Sequence, residues 1–199
     1  PESPAPAPAK ARIVNPPAKG PVDRFIRRFG ERSHTLLLLA LYAVAAMAYG
    51  LALAPALWFL QLCWSSTGAL DAWLKWPLFG IACGLAFFIA GFTLLIVIPA
   101  FNAILPTRVK PFKGSYYTYA ALPWYIHNSL FYLVRYTFLP YVTLTPFGDW
   151  FLRAMGMKLG RRAFLNTEFI SDPCMISIGE DAVIGGSVHL FAHYAGDGH

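Results

Sequence analysis

The chain has 199 residues, of which 57% are hydrophobic and 13% are charged, and its formal net charge is +6. Soluble domains average about 45–50% apolar and about 25% charged residues, so this composition indicates a membrane protein rather than a soluble domain with a large core. Three cysteines without a CxxC or CxxH spacing predict neither a disulfide framework nor a zinc site. Basic residues crowd the segment before the first apolar run, where a topology signal is a simpler reading than nucleic-acid binding.

Residues 1–22 are predicted to be a Pro/Ala-rich linker, because seven prolines leave little room for a helix or a sheet. A linker at this place predicts that something precedes it, so the sequence is expected to be a piece of a longer polypeptide. Residues 23–34 are short, basic and partly amphipathic. We expect this juxtamembrane segment to lie at the headgroup surface, where anionic lipids attract Lys and Arg.

Residues 35–105 predict a transmembrane helical hairpin. Thr35–Trp64 and Trp76–Leu105 carry no charged residue, and each exceeds the roughly 20 residues that a spanning helix needs. The polar turn between them carries only Asp71 and Lys75, whereas both outer flanks are basic. The positive-inside rule therefore predicts a multi-pass protein of the cell inner membrane, with the N-terminus and everything after the hairpin in the cytoplasm.

Residues 106–157 are dense in aromatic side chains, which favour the boundary between membrane and water. Prolines at 123, 140 and 146 interrupt this stretch. We expect one or two interfacial helices that dock the C-terminal domain on the bilayer. A third span between Ser129 and Thr145 is an alternative, although it would be short and would contain Arg135.

Residues 158–199 show a six-residue periodicity. Aliphatic residues recur at a spacing of six, interrupted once by a gap of thirteen: Leu159, Leu165, Ile178, Ile184 and Leu190. The gap equals two units plus one residue, and Ser171-Asp172-Pro173 offers a place for a bulge. This pattern is typical of a parallel β-helix, in which each six-residue unit forms one side of a coil and successive coils stack. The alternative is a pair of ordinary strands with turns at Gly179 and Gly185.

Residues 155–193 resemble the hexapeptide-repeat acyltransferases, in which a catalytic histidine often follows such a run; here Leu190-Phe191-Ala192-His193 fits that place. The order of linker, membrane hairpin, aromatic segment and hexapeptides is similar to the C-terminal region of nonribosomal-peptide-synthetase-like proteins of the poly-lysine synthetase group. The resemblance implies a mixed α + β membrane fold: a transmembrane hairpin and interfacial helices, followed by the beginning of a left-handed parallel β-helix.

The resemblance also implies acyl transfer from a thioester to an amine or a hydroxyl. His193 would be the general base, and Asp197 would orient its ring. Acyl-CoA or a phosphopantetheine-carried thioester would be the donor, with no tightly bound cofactor and no metal. The implied partners are the lipid bilayer, upstream adenylation and carrier domains, and a second copy of the chain, but no nucleic acid.

Other readings of this region compete with catalysis by His193. His189 is expected at the surface or in a substrate groove, His34 and His127 are expected to be interfacial polar groups, and His199 has no context. A noncatalytic β-helix that serves as a scaffold or oligomerisation module beside the membrane is the alternative function.

Overall fold

A computed structural model describes residues 17–194, which are mostly helical and include a few short strands. The helices, in chain order, are α1 (Gly20–Phe29), α2 (Glu31–Ser66), α3 (Ala72–Ile104), α4 (Leu122–Arg135), α5 (Leu139–Val142) and α6 (Pro146–Ala154). Two 3₁₀ turns cover Tyr119–Ala121 and Pro173–Met175. The strands are β1 (Lys158–Leu159), β2 (Phe164–Leu165), β3 (Ser177–Ile178) and β4 (Val183–Ile184).

The two long apolar helices that the sequence predicts are confirmed as α2 and α3, which pack side by side. Both are long and apolar enough to cross a membrane, and only 17% and 33% of their most apolar windows are buried. A core helix of a soluble protein would be mostly buried, so the outward apolar surface indicates membrane association. Alanines buried at every fourth position of α2, Ala48, Ala52 and Ala56, let the two backbones approach closely.

The chain does not form a third long helix between residues 129 and 145. Helix α4 ends at Arg135, and the four-residue α5 follows after a turn. Within residues 17–194, only α2 and α3 meet the length and hydropathy that a span requires. Pro55 does not end α2, which continues to Ser66.

Helix α1 begins at Gly20, so its first three residues fall in the range predicted to be linker. Asp23 of this helix is buried and accepts hydrogen bonds from the backbone N–H of Lys19 (3.0 Å) and of Tyr119 (2.8 Å). Its carboxylate also pairs with Arg27 at 2.9 Å. Burial by itself would raise the pKa of Asp23, but these hydrogen bonds and the arginine charge outweigh it and lower the pKa. The carboxylate therefore fastens the basic helix to the segment that leads into α4.

Helix α4 is the bridge between the hairpin and the strand region. Leu130, Phe131 and Val134 are almost fully buried, because α4 packs on both α3 and α2. The phenol of Tyr49 in α2 donates a hydrogen bond to the carbonyl of Leu133 at 3.2 Å.

Beyond α4, Phe138 lies against α3 at Gly91. A β-carbon at Gly91 would overlap the Phe138 ring, so this close approach requires glycine.

The strands after α6 pair in parallel at nearly constant intervals. Lys158 pairs with Ser177 and Phe164 pairs with Val183, nineteen residues apart in both cases, and Ile170 pairs with Leu190 after twenty. The strands are two-residue fragments, so they show a repeating parallel chain path but not a complete β-helix.

Corner residues repeat at the same interval of nineteen. Arg162 and Asp181 both adopt positive φ, at 56° and 57°, and their side chains form an ion pair at 2.5 Å. Gly160 lies so close to Gly179 that a β-carbon on it would overlap the neighbouring backbone. Successive passes of the chain therefore stack with equivalent residues above one another.

Candidate functional site

His193 and Asp172 are brought together by the last parallel pairing. Ile170 pairs with Leu190, and the Ser171 N–H donates to the Leu190 carbonyl at 2.8 Å. Because the two segments run in the same direction, Asp172 and His193 leave this pairing on the same side. The His193 Nδ1 lies 2.6 Å from the Asp172 Oδ2.

The direction of the hydrogen bond in this pair follows from the charge state of its carboxylate. The side chain of Asp172 is 2% exposed and that of His193 is 37% exposed. Burial would raise the pKa of Asp172, but hydrogen bonds from His193, Asn128 and the Ala192 backbone outweigh it and lower the pKa. An ionised carboxylate only accepts hydrogen bonds, so Nδ1–H of His193 is the donor. In the neutral imidazole this leaves Nε2 with a free lone pair, which is the state that a general base needs.

Two side chains of α4 hold the Asp172 carboxylate in place. Its Oδ1 accepts hydrogen bonds from the Trp124 indole N–H (2.6 Å) and from the Asn128 amide (2.7 Å). The Asp172 backbone N–H in turn donates to Asn128 Oδ1 at 3.0 Å, and the Ala192 N–H donates to Asp172 Oδ2 at 3.1 Å. Asp172 has φ 57°, a left-handed conformation that Asp tolerates better than most residues. The carboxylate is thus satisfied on both oxygens and fixed in direction.

A cavity of about 400 Å³ opens beside the pair. Its lining includes His193, Asp172, the aromatic side chains of Phe112, Tyr116 and Trp124, and two lysines, Lys110 and Lys113. The rings of Trp124 and His193 meet edge to face, with centroids 5.3 Å apart. This volume is within the roughly 300–1,000 Å³ of small-ligand sites, and partly apolar walls with a few polar groups are typical of such sites.

Cys174, which follows Asp172 by two residues, is not suited to act as a nucleophile. Burial and the charge of Asp172 raise the pKa of its thiol to about 11. The thiol is therefore protonated at neutral pH, and only the thiolate attacks carbonyl carbons readily. The histidine–aspartate pair, in contrast, has a geometry that suits proton transfer.

The other predicted site residues lie apart from the cavity or outside the described residues. Asp197 and His199 lie outside residues 17–194. His189 is exposed and stacks on Phe169 at a centroid distance of 4.6 Å, with no contact to the cavity. Within the described residues, no group of three or more His, Cys, Asp or Glu side chains is placed to hold a metal ion.

His34 and His127, predicted to be interfacial polar groups, make internal contacts. His34 packs against the Tyr125 ring at 4.8 Å. His127 is 1% exposed, and its Nδ1 lies 2.9 Å from Asn102 Oδ1 of α3. Burial lowers the pKa of His127 to about 4, so it is neutral at pH 7 and serves as a structural contact between α3 and α4.

Sequence reasoning missed Asp172, Trp124 and Asn128 as parts of the site. The one signal for Asp172 was the extra residue in the hexapeptide register at Ser171-Asp172-Pro173. An extra residue next to a paired segment turns a side chain out of the repeat, and here Asp172 directs its carboxylate toward His193. The α4 residues gave no such signal, because Trp124 looked like one member of a general aromatic band and Asn128 is a single polar residue within it.

Comparisons with known proteins give no match: no family model, no curated protein and no solved structure is significantly similar to this chain.

Proposed function

We propose that this chain is a membrane-anchored acyltransferase that moves an acyl or aminoacyl group from a thioester donor to an amine or hydroxyl acceptor. The observation that carries the proposal is the His193–Asp172 pair at a cavity of about 400 Å³. The resemblance to hexapeptide-repeat acyltransferases supports it, as part of a nonribosomal-peptide-synthetase-like protein. Acyl-CoA or a phosphopantetheine-carried thioester is the proposed donor.

The fold part of the proposal is that residues 158–194 begin a left-handed parallel β-helix. Three six-residue sides make an eighteen-residue coil, and the observed pairing intervals of nineteen, nineteen and twenty fit one coil with an inserted residue or two. Leu165 and Ile170 are buried, whereas the alternating Phe164 and Val183 are 48% and 72% exposed. This alternation is what inward and outward positions on the sides of a coil require.

The proposed chemistry uses His193 as the general base. The acceptor nitrogen or oxygen attacks the thioester carbonyl carbon while His193 Nε2 takes the acceptor's proton. The C–S bond then breaks, and the leaving thiolate receives that proton from the imidazolium and departs as the thiol. Asp172 holds the ring and stabilises the imidazolium that forms in between. It therefore has the orienting role that the resemblance implied for Asp197.

The proposed location is supported by the two apolar helices and by the basic residues that flank them. The α2–α3 hairpin anchors the chain in the inner membrane, with the basic segment and the strand region both on the cytoplasmic side. The site then lies at the membrane surface, where α4 connects the hairpin to the cavity. Upstream adenylation and carrier domains would deliver the thioester there, and the chain would not need nucleic acid.

The test is acyl transfer by the chain in lipid nanodiscs, measured as release of thiol from an acyl thioester in the presence of an amine acceptor. His193→Ala should lower the rate about 10²–10⁴-fold, the usual contribution of a general base. His189→Ala is the matched control, because His189 is an exposed histidine four residues away that does not line the cavity. Equal rates for wild type and His193→Ala would refute catalysis and favour the noncatalytic scaffold.

A further inference from the structure

The charge around the cavity is unbalanced. Lys110 and Lys113 line it, and neither ammonium group has an ion-pair partner among the described residues 17–194. Among the described residues that line the cavity, Asp172 is the single carboxylate, and it is buried and already accepts four hydrogen bonds. Its charge therefore faces His193 and α4, and the accessible charged groups of the described lining are the two ammonium groups.

The two lysines and the His193–Asp172 pair come from separate parts of the chain. Lys110 and Lys113 lie on the segment between α3 and the 3₁₀ turn Tyr119–Ala121, which has no regular secondary structure there. His193 and Asp172 belong to the strand region. Apolar groups, among them Val109, Phe112 and Met175, complete the wall of the same cavity. One cavity therefore offers cationic donors, apolar walls and a proton acceptor to a single ligand.

We propose that Lys110 and Lys113 form a subsite for the phosphate group of a phosphopantetheine arm, whose thioester end reaches His193. This inference rests on the proposed acyl transfer and names the donor that it uses. A phosphate matches two unpaired ammonium groups, and the uncharged arm matches the apolar wall. A donor without phosphate would leave both lysines unused.

The charge also bears on the acceptor. A protonated amine is repelled by two ammonium groups, whereas a neutral amine or a hydroxyl is not. Once the phosphate is bound it offsets the lysine charge. Donor binding would thus make the cavity more favourable for an amine. The donor would therefore bind before the acceptor.

The test measures binding rather than turnover. Full-length chain in nanodiscs is titrated with 4′-phosphopantetheine and with pantetheine, which differ only in the phosphate. Wild type should bind the phosphorylated compound about tenfold more tightly, since hydrogen bonds to charged groups are strong but these lysines are solvent-exposed. The double variant Lys110→Ala/Lys113→Ala should bind both compounds equally, at the affinity of wild type for pantetheine.

Controls separate this subsite from the proposed reaction. Lys158→Ala removes an exposed lysine that does not line the cavity, and should keep the tenfold preference. His193→Ala should also keep it, so unchanged transfer by this variant with an intact preference would refute the base and leave the subsite standing. Equal binding of both compounds by wild type overturns the subsite. Glycerol 3-phosphate binding as tightly as 4′-phosphopantetheine would overturn it too, in favour of a lipid-headgroup site.

Discussion

Asp172→Asn exchanges one oxygen of the buried carboxylate for an NH₂ group and keeps the shape of the side chain. The remaining oxygen can still accept from Trp124 and Asn128, which places the NH₂ group opposite His193 Nδ1, now 2.6 Å from Oδ2. The amide then donates to Nδ1, so the neutral imidazole carries its proton on Nε2. That tautomer cannot accept a proton from the acceptor, and no negative charge faces the imidazolium.

The magnitude follows from the bond that is lost. A hydrogen bond to a charged group is worth about 1.5–3 kcal/mol, and each 1.36 kcal/mol of barrier is about tenfold in rate. The wrong tautomer adds to this loss, and the same exchange in a Ser-His-Asp triad costs about 10⁴-fold. We therefore expect Asp172→Asn to lower kcat about 10²–10⁴-fold in the thiol-release assay. Asp181→Asn is the matched control, because Asp181 is an exposed aspartate on the corner of the strand region.

A measurement of the unfolding free energy checks that the Asp172→Asn variant is folded. The Ala192 N–H loses its acceptor, which costs about 1–3 kcal/mol. The lowered pKa of Asp172 means that its charge stabilises the fold above the unfolded-state pKa of about 3.9. This contribution disappears as the pH falls through the folded-state pKa, so the gap in unfolding free energy between wild type and variant should narrow below about pH 4. A folded variant that retains more than about a third of wild-type kcat would refute the orienting role of Asp172.

Three further changes test the support of Asp172 by α4, the contact of α3 with Phe138, and the contact of α3 with α4. Asn128→Leu removes both hydrogen bonds to Asp172; kcat should fall at least about tenfold with a smaller change in KM, and unchanged kinetics would contradict a positioning role. Gly91→Ala should lower the melting temperature measurably because its β-carbon would overlap Phe138, whereas Gly80→Ala, which faces open space in the same helix, should not. His127 has a folded-state pKa of about 4, below its ordinary value of about 6.5. The unfolded state therefore binds more protons between about pH 6.5 and about pH 4. As the pH falls through this range, the unfolding free energy of wild type should decrease by up to about 1.4 kcal/mol per pH unit relative to that of His127→Gln. Parallel pH profiles of unfolding free energy for the two proteins would refute this.

The helical part of the fold was predictable because its signal is local. An apolar run without charges longer than a bilayer requires becomes a helix whatever surrounds it, and both runs became α2 and α3. The lengths of α4 and α5 were less predictable, because the turn before Pro140 depends on where Phe138 meets Gly91. That contact joins residues 47 positions apart, and no periodicity encodes it.

The candidate site was half predictable for the same reason. The resemblance to hexapeptide-repeat acyltransferases implies a histidine shortly after the last aliphatic position of the repeat, and His193 occupies that place. Its partner depends on which chain segment lies beside it, and that is set by a parallel pairing twenty residues back. A search along the sequence therefore favours the nearby Asp197, whereas the register of the stacked segments places Asp172 at hydrogen-bond distance.

Helix α4 ties the geometry of the site to the hairpin through two consecutive residues. His127 contacts Asn102 of α3, and Asn128, the next residue, holds the Asp172 carboxylate. Successive residues of a helix point about 100° apart. One face of α4 therefore contacts the hairpin, and the adjoining face holds the His193–Asp172 pair. A shift of α4 along α3 would move the Asn128 amide relative to Asp172, and with it the direction of the His193 ring. The strand region without α4 would lack two of the four donors that hold the Asp172 carboxylate, so the hairpin supports the site through α4.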